Sequence, residues 1–140
     1  MIAVDAGFLF ALVDNRDIWH SRALHAAPTA IDGWITTWPA LAEASYLMTT
    51  RLGTRFAQAL IADVAEGALV VWDIPQAKVA RIPDLMKRYA NLPMDLADAS
   101  LVLLAEHLGH GRILTTDERD FGAYRWKNRK PFHNLLAQVP

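Results

Sequence analysis

A short apolar strand, an acid and an apolar helix follow one another directly in the stretch Ile2-Ala3-Val4-Asp5-Ala6-Gly7-Phe8-Leu9-Phe10-Ala11-Leu12-Val13. Three apolar residues are too few for a helix, whereas the apolar run after Gly7 is long enough for two helical turns. The stretch therefore predicts a strand, a turn and a helix, with Asp5 at the carboxyl end of the strand. Ligands of parallel α/β sheets bind outside these ends, so this acid is a candidate functional residue.

The same alternation of strands and helices continues along the chain. Further strands are predicted at residues 34–37, 68–72 and 112–116, with a weak last strand from Phe132 onward. Helices are predicted at residues 19–26, 39–52, 55–66, 75–89 and 95–108, the fourth of them split or kinked by Pro83. Helices between strands imply crossover connections, a parallel sheet and helices on both of its faces. We expect a single three-layer α/β/α domain formed by residues 1–140.

Composition limits the class of protein. The 140 residues are 53% hydrophobic with a mean hydropathy of +0.12, which excludes a disordered chain. The absence of cysteine excludes disulfides, thiolate zinc sites and cysteine nucleophiles, so any chemistry must use oxygen or imidazole groups. No signal-peptide pattern follows Met1 and no apolar run could span a bilayer, so we expect a cytoplasmic protein with no membrane partner.

Four acids lie at the ends of predicted strands or within apolar helices: Asp5, Glu43, Asp98 and Asp117. Asp5 and Asp117 could equally serve as N-caps of the helices that follow them. Glu43 has no charged residue three or four positions away, so its carboxylate is expected against apolar surface, as a site residue or as a stem reaching water. Asp95 is predicted mainly to cap the helix of Asp98 and to support that acid.

Taken together, the four acids predict a site for a cation. Carboxylates brought together without one would repel each other and raise each other's pKa. Oxygen ligands, with no cysteine and no histidine pair at a convincing spacing, suit Mg²⁺ or Mn²⁺ better than zinc. Such a site suits phosphoryl or phosphodiester chemistry, in which the metal activates water and neutralises the phosphate.

Four segments resemble, in their order and spacing, the acidic motifs of PIN-domain ribonucleases; they are residues 2–9, 41–44, 94–101 and 113–121. The resemblance covers nearly the whole chain, whose small size is similar to that of VapC-type toxins of bacterial toxin–antitoxin pairs. It implies a PIN-like parallel sheet flanked by helices and Mg²⁺-dependent endonucleolytic cleavage of RNA. It also implies a homodimer and inhibition by a cognate VapB-type antitoxin.

The resemblance also implies roles for individual residues. Asp5, Glu43, Asp98 and Asp117 match the metal-site acids, with Asp5 and Asp98 as direct ligands, and Thr115 matches a supporting hydroxyl. Many family members have hydroxyl residues after the first aspartate, whereas this chain has Ala6-Gly7. Our hypothesis is that the carboxylates hold Mg²⁺ and that a metal-bound water attacks the RNA phosphodiester in line.

A net charge of −1 conceals a basic segment near the C-terminus, with four cations and no acid: Arg125, Lys127, Arg129 and Lys130. These side chains could meet RNA phosphates, and Trp126 or Tyr124 could stack on an unpaired base. A solvated basic segment with an aromatic residue packed in the core fits the pattern at least as well.

Two other classes of protein share some of these features. A phospho-receiver or similar signalling module also gathers acids around Mg²⁺ at strand ends. It needs an acceptor aspartate after a central strand and a lysine after a late one; Asp73 follows a strand, but the late strand ends in Thr115-Thr116-Asp117. A catalytically inactive PIN-fold domain that only binds partners is the second alternative.

Overall fold

A five-stranded parallel sheet forms the centre of the structure, a computed structural model that describes residues 1–139. Pro140, the last residue of the predicted domain, lies outside the described residues. The strands are β1 (Ile2–Val4), β2 (Trp34–Thr37), β3 (Leu69–Trp72), β4 (Arg112–Leu114), β5 (Arg125–Trp126), β6 (Lys130–Pro131) and β7 (His133–Asn134). The sheet has the order β3-β2-β1-β4-β7, and all four neighbouring pairs are parallel. The predicted α/β class and parallel sheet are confirmed, and the weak strand expected after Phe132 is β7.

Seven α-helices in the described residues flank this sheet: α1 (Ala6–Val13), α2 (His20–Ala26), α3 (Trp38–Arg51), α4 (Thr54–Ala65), α5 (Arg81–Arg88), α6 (Leu96–Leu108) and α7 (Glu118–Ala123). Successive residues of a strand point to opposite faces of a sheet. Ile2 and Val4 belong to one buried apolar cluster with α1 and α3, whereas Ala3 belongs to a second cluster with α6. The sheet is therefore covered by apolar side chains on both faces.

Helix α6 has the burial that its sequence predicted. Residues that are apolar on all sides of a helix indicate an element enclosed by the fold. Eight of its thirteen residues are buried, and Gly109 ends it with a φ of 78°, a left-handed conformation that glycine adopts readily. Helix α6 packs against β2 and α3 and so carries Asp98 to the edge of the sheet where β1 ends.

Three elements differ from the predictions. The helix expected at residues 75–89 is a 3₁₀ turn, Gln76–Lys78, followed by α5, and Pro83 lies in the first turn of α5, where its missing N–H costs no hydrogen bond. The strand expected at residues 112–116 ends at Leu114, which places both threonines in the loop beyond it. An antiparallel hairpin of β5 and β6 was not predicted. Within residues 1–139, no helix has both the length and the apolar character needed to cross a membrane.

Candidate active site

One cavity of about 180 Å³ is lined by all four candidate acids: Asp5, Glu43, Asp98 and Asp117, together with Ala6, Gly7, Ala40, Ala97, Leu101 and Thr116. Asp5 follows β1 directly, and Asp117 lies in the loop after β4, the neighbouring strand. Glu43 is in α3, and Asp98 is in the first turn of α6. Every charged side chain that lines this cavity is an acid, although the four are spread over more than a hundred residues of sequence.

Asp5 is both a helix cap and a lining residue of this cavity. Its Oδ1 accepts a hydrogen bond from the N–H of Phe8 at 2.8 Å, which makes it the N-cap of α1. The buried hydroxyl of Thr115 donates to its Oδ2. Burial raises the pKa of Asp5 to about 7; the two hydrogen bonds lower it, while Asp117 and Glu43 raise it further. The sequence allowed Asp5 to be either a helix cap or a site residue. In the structure it caps α1 and also lines the cavity.

Asp98 is half-buried and is held by its own helix and by a distant tyrosine. The carboxylate of Asp95 accepts from the N–H of Asp98 at 2.8 Å and caps α6, the role that its position predicted. The hydroxyl of Tyr124 donates to Oδ2 of Asp98 at 2.9 Å. Burial and then the charge of Asp95 raise the pKa of Asp98 to about 7. Burial, followed by the charge and the hydrogen bond of Asp98, raises the pKa of the Tyr124 phenol well above its ordinary value.

Asp117 and Glu43 are less enclosed than the other two acids. Asp117 accepts from the N–H of Asp120 at 3.1 Å and caps α7, and burial is the largest cause of its raised pKa. The Glu43 side chain is exposed, so its head reaches water, and it also lines the cavity. Desolvation and the nearby charge of Asp95 nevertheless raise the pKa of Glu43. Glu43 therefore borders the cavity from its solvent side.

Threonines after β4 supply the hydroxyl groups that the turn after Asp5 lacks. Thr115 is fully buried, donates to Asp5 and accepts from the N–H of Asp117 at 2.9 Å, so one hydroxyl connects two of the acids. The hydroxyl of Thr116 occupies the space that any Cβ at position 7 would need. A serine or threonine at position 7 would overlap it, so Gly7 and Thr116 fit each other in the wall of the cavity.

The chemistry of the cavity fits a hard divalent cation. Its ionisable groups are carboxylates, the ligands that Mg²⁺ and Mn²⁺ prefer. The volume has room for several water molecules, which Mg²⁺ commonly retains when a protein binds it. Within residues 1–139, no three acid or histidine side chains already converge as a complete set of metal ligands. Asp5 and Asp117 are instead turned toward helix N-termini, and Asp98 toward Tyr124.

The fold is shared with known proteins. The family model described as "PIN domain" matches residues 2–127. The chain belongs to the PIN-domain family. This PIN domain is 27% identical to Ribonuclease VapC26 of Mycobacterium tuberculosis (strain ATCC 25618 / H37Rv) over 122 residues, which cover 87% of this chain and 90% of the relative. It is similar to the crystal structure of M. tuberculosis VapC20, a sarcin-ricin loop cleaving toxin, with a TM-score of 0.78, 20% identity and coverage of 85% and 92% of the two chains.

The predicted resemblance to VapC-type PIN ribonucleases is therefore confirmed for this PIN domain. The matched residues include all four acids, Asp95 and Thr115. They end at Lys127, so β6 and β7 lie beyond the match.

In the basic segment of this PIN domain, the aromatic residues are buried. Tyr124 is 0% exposed and Trp126 is 6% exposed. Of the two readings of this segment, the structure has the one with its aromatic residues packed in the core, so neither ring is free to stack on an RNA base. The indole N–H of Trp126 donates to the carbonyl of Pro131 at 3.0 Å, and the amines of Lys127 and Lys130 lie over its ring. The cations therefore lie on a hairpin whose residue Trp126 is packed in the core.

The other tryptophans of the PIN domain also lie outside the cavity. Trp19, Trp34 and Trp72 are partly buried, whereas Trp38 is 51% exposed. The indole N–H of Trp38 donates to Asp73 at 2.6 Å. This contact occupies the aspartate that a phospho-receiver would need in its acid cluster.

The site contact that the sequence did not indicate is that of Tyr124. It lies 26 residues from Asp98, and its place in a basic, aromatic segment suggested RNA contact instead. No spacing rule connects the two residues, since Tyr124 follows α7 and contacts Asp98 of α6 only in the folded chain. The close fit of Gly7 and Thr116 was equally invisible, although the glycine itself was noted as a departure from the family pattern.

Proposed function

We propose that this PIN domain is a metal-dependent endoribonuclease that acts as the toxin of a toxin–antitoxin pair. We assign its catalytic site to Asp5, Glu43, Asp98 and Asp117. The observation that carries the proposal is one cavity that these four carboxylates line without a basic side chain. Family membership supports the same reaction class, since the curated relative is named a ribonuclease.

We propose Mg²⁺ as the cofactor, with Mn²⁺ as an alternative, held by Asp5 and Asp98 and completed by Asp117 and Glu43. When bound, such an ion neutralises phosphate charge and lowers the pKa of water at the scissile bond. The raised pKa values of Asp5 and Asp98 support a cation at this place, because a positive charge would favour their ionised forms. No protein nucleophile is required by this proposal.

Two residues are proposed to support the acids without joining the chemistry. Thr115 keeps Asp5 and the backbone of Asp117 in a fixed relation through its single hydroxyl. Asp95 caps α6 and so fixes the helical turn that carries Asp98. Groups that orient metal ligands in this way commonly matter almost as much as the ligands.

We propose that RNA is held through its phosphates by the basic hairpin, using Arg125, Lys127, Arg129 and Lys130. Support comes from the exposure of Lys127 and Arg129. Further support comes from α5, because the guanidinium of Arg88 donates to Asn128 at the tip of the hairpin at 2.9 Å. Helix α5 and the hairpin therefore both contribute cations. Contacts between such cations and phosphates supply binding affinity that is largely independent of the RNA sequence.

Glu106 anchors this hairpin to the helices. It forms an ion pair with Arg81 of α5 and accepts from the N–H of Lys127 at 2.7 Å. The N–H of Arg125 donates to the hydroxyl of Tyr89 at 3.0 Å, and the ring of Tyr89 contacts that of Tyr124. These contacts fix the hairpin beside Tyr124, the residue that contacts Asp98. This is a suitable place for an RNA strand that enters the cavity.

The resemblance to VapC toxins supports three further proposals: a cognate VapB-type antitoxin, a homodimer and a cytoplasmic location. An apolar cavity of about 190 Å³, lined in part by Leu12, Val13 and Phe56, could receive apolar side chains of a protein partner. We also propose that residues 1–140 act as one domain, because the two apolar clusters cover the two faces of one sheet.

The strand order argues against a phospho-receiver. Receivers of the flavodoxin-like type have the order 2-1-3-4-5, in which strand 3 lies beside strand 1. Here β4 lies beside β1, and β3 lies at the edge next to β2. The intact set of four acids in turn favours a nuclease over an inactive PIN-fold binding domain.

The test is RNA cleavage by purified protein freed of antitoxin, with structured and unstructured RNAs, in Mg²⁺ or in EDTA. Wild type should cleave RNA in Mg²⁺ but not in EDTA, and Asp98→Asn should be inactive in both. Asp63→Asn, in an exposed residue of α4, is the matched control and should cut like wild type. Cleavage by Asp98→Asn, cleavage in EDTA, or no cleavage under any condition would contradict the proposal. A neighbouring reading frame for a small DNA-binding antitoxin would support the toxin assignment.

A further inference from the structure

Tyr124 donates a hydrogen bond to a carboxylate of the proposed metal site. Its hydroxyl lies 2.9 Å from Oδ2 of Asp98, and the residue is fully buried. A phenol keeps its proton at neutral pH, and a carboxylate has no proton to give once it is ionised, as it is when it binds a metal ion, so Tyr124 is then the donor of this bond. The bond engages one of the two oxygens of Asp98.

The donor is held in place by packing. The ring of Tyr124 makes edge contacts with Phe121 and Tyr89, with centroid distances of 5.1 and 5.0 Å. Side chains in a close-packed interior keep to one rotamer. Tyr124 also directly follows α7, the helix that Asp117 caps. The phenol therefore ties the element that begins at one site acid to the carboxylate of another.

We propose that Tyr124 is a positioning residue, which fixes the Asp98 carboxylate through Oδ2 and leaves its other oxygen for the metal ion. This inference rests on the proposed metal-dependent function. A hydrogen-bond partner behind a metal ligand sets the orientation of that ligand, and its loss typically costs about 10- to 100-fold in metal affinity or activity. Asp98 needs such a partner because it is only half-buried and is otherwise free to turn toward solvent.

The test is the affinity for Mn²⁺ without RNA, measured from the free-ion signal in electron paramagnetic resonance. Tyr124→Phe keeps the ring and its packing but removes the donor. Tyr46→Phe is the control, because it also removes a phenol hydroxyl, but from an exposed side chain of α3. We expect Tyr124→Phe to weaken Mn²⁺ binding about 10-fold or more, and Tyr46→Phe to bind like wild type.

Cleavage assays separate positioning from a general loss of structure. The Mg²⁺ concentration for half-maximal cleavage should rise in Tyr124→Phe, while kcat at saturating Mg²⁺ should return toward that of wild type. Equal Mn²⁺ affinity in Tyr124→Phe and wild type, or equal weakening in Tyr46→Phe, would overturn the inference and leave the nuclease assignment intact. If wild type neither binds Mn²⁺ nor cleaves RNA, the proposed function fails and the inference with it.

Discussion

Burial of the Asp5 carboxylate lowers the stability of the folded state, and the proposed metal site would explain why this residue is retained. A buried carboxylate is unfavourable when ionised, yet here the group also caps α1 and borders the acid cavity. Its two hydrogen bonds only partly offset its desolvation, which is why its pKa remains near 7. A cation in the cavity would relieve this penalty. We therefore expect the stability of the metal-free protein to depend on pH in a way that bound metal suppresses.

Asp5→Asn tests this expectation. The pKa of Asp5 is raised from 3.8 to about 7 on folding, so between these values the folded state binds more protons and its stability falls as pH rises. In EDTA at pH 8, Asp5→Asn should melt at a higher temperature than wild type, and the difference should shrink toward pH 4.5. The variant should also lose RNA cleavage. Thermal melting across this pH range is the measurement, and Asp63→Asn should follow wild type. A difference that is independent of pH would contradict the argument.

Among the helices and strands, local sequence patterns predicted those features that depend on residues close together in the sequence. The apolar run of α6 and the acid after β1 are such patterns, and both lie where expected. The hairpin of β5 and β6 depends on contacts made by α5 and α6, through Asn128 and Glu106, so its own sequence showed only a basic segment. The acids and their helix-capping roles could be named from sequence, but the hydrogen bond of Tyr124 to Asp98 could not, because it reaches across the fold.

The start of α1 depends on the absence of a side chain at position 7. A Cβ there would overlap the hydroxyl of Thr116, whereas the Thr116 Cβ would lie at an ordinary 3.4 Å. Gly7→Ala should therefore cost about 1–3 kcal/mol of unfolding free energy, the usual effect of overpacking. Adding Thr116→Ala should recover most of the loss, because it removes the overlapping oxygen.

Urea unfolding of the two single variants and the double variant measures this coupling. Gly122→Ala is the control, since Gly122 lies in α7 with open space around it and should tolerate the added methyl group. Additive losses in the double variant would show that residues 7 and 116 do not fit each other in the way the geometry indicates.

The basic residues are unevenly distributed over the whole molecule. Ten of the fourteen lysine and arginine residues lie from residue 78 onward, although the chain as a whole has a net charge of −1. The fold brings α5 and the hairpin together, so cations from two parts of the sequence share one surface. The acids of the cavity would repel RNA on their own. We therefore propose that the neighbouring basic surface lets the acidic cavity hold a polyanion.

Lys127→Gln/Arg129→Gln tests this division of charge. Both side chains are exposed, so the substitutions should leave the fold intact. Each phosphate contact with single-stranded RNA contributes about −0.7 to the slope of log affinity against log salt concentration, so losing two contacts should reduce the slope by about 1.4. Fluorescence anisotropy of a labelled single-stranded RNA in EDTA, which prevents metal-dependent cleavage, gives the slope. Arg16→Gln/Arg55→Gln makes the same change in net charge away from the hairpin, and it should keep the wild-type slope. Equal slopes for both pairs would mean that only total charge matters and that the hairpin is not the RNA surface.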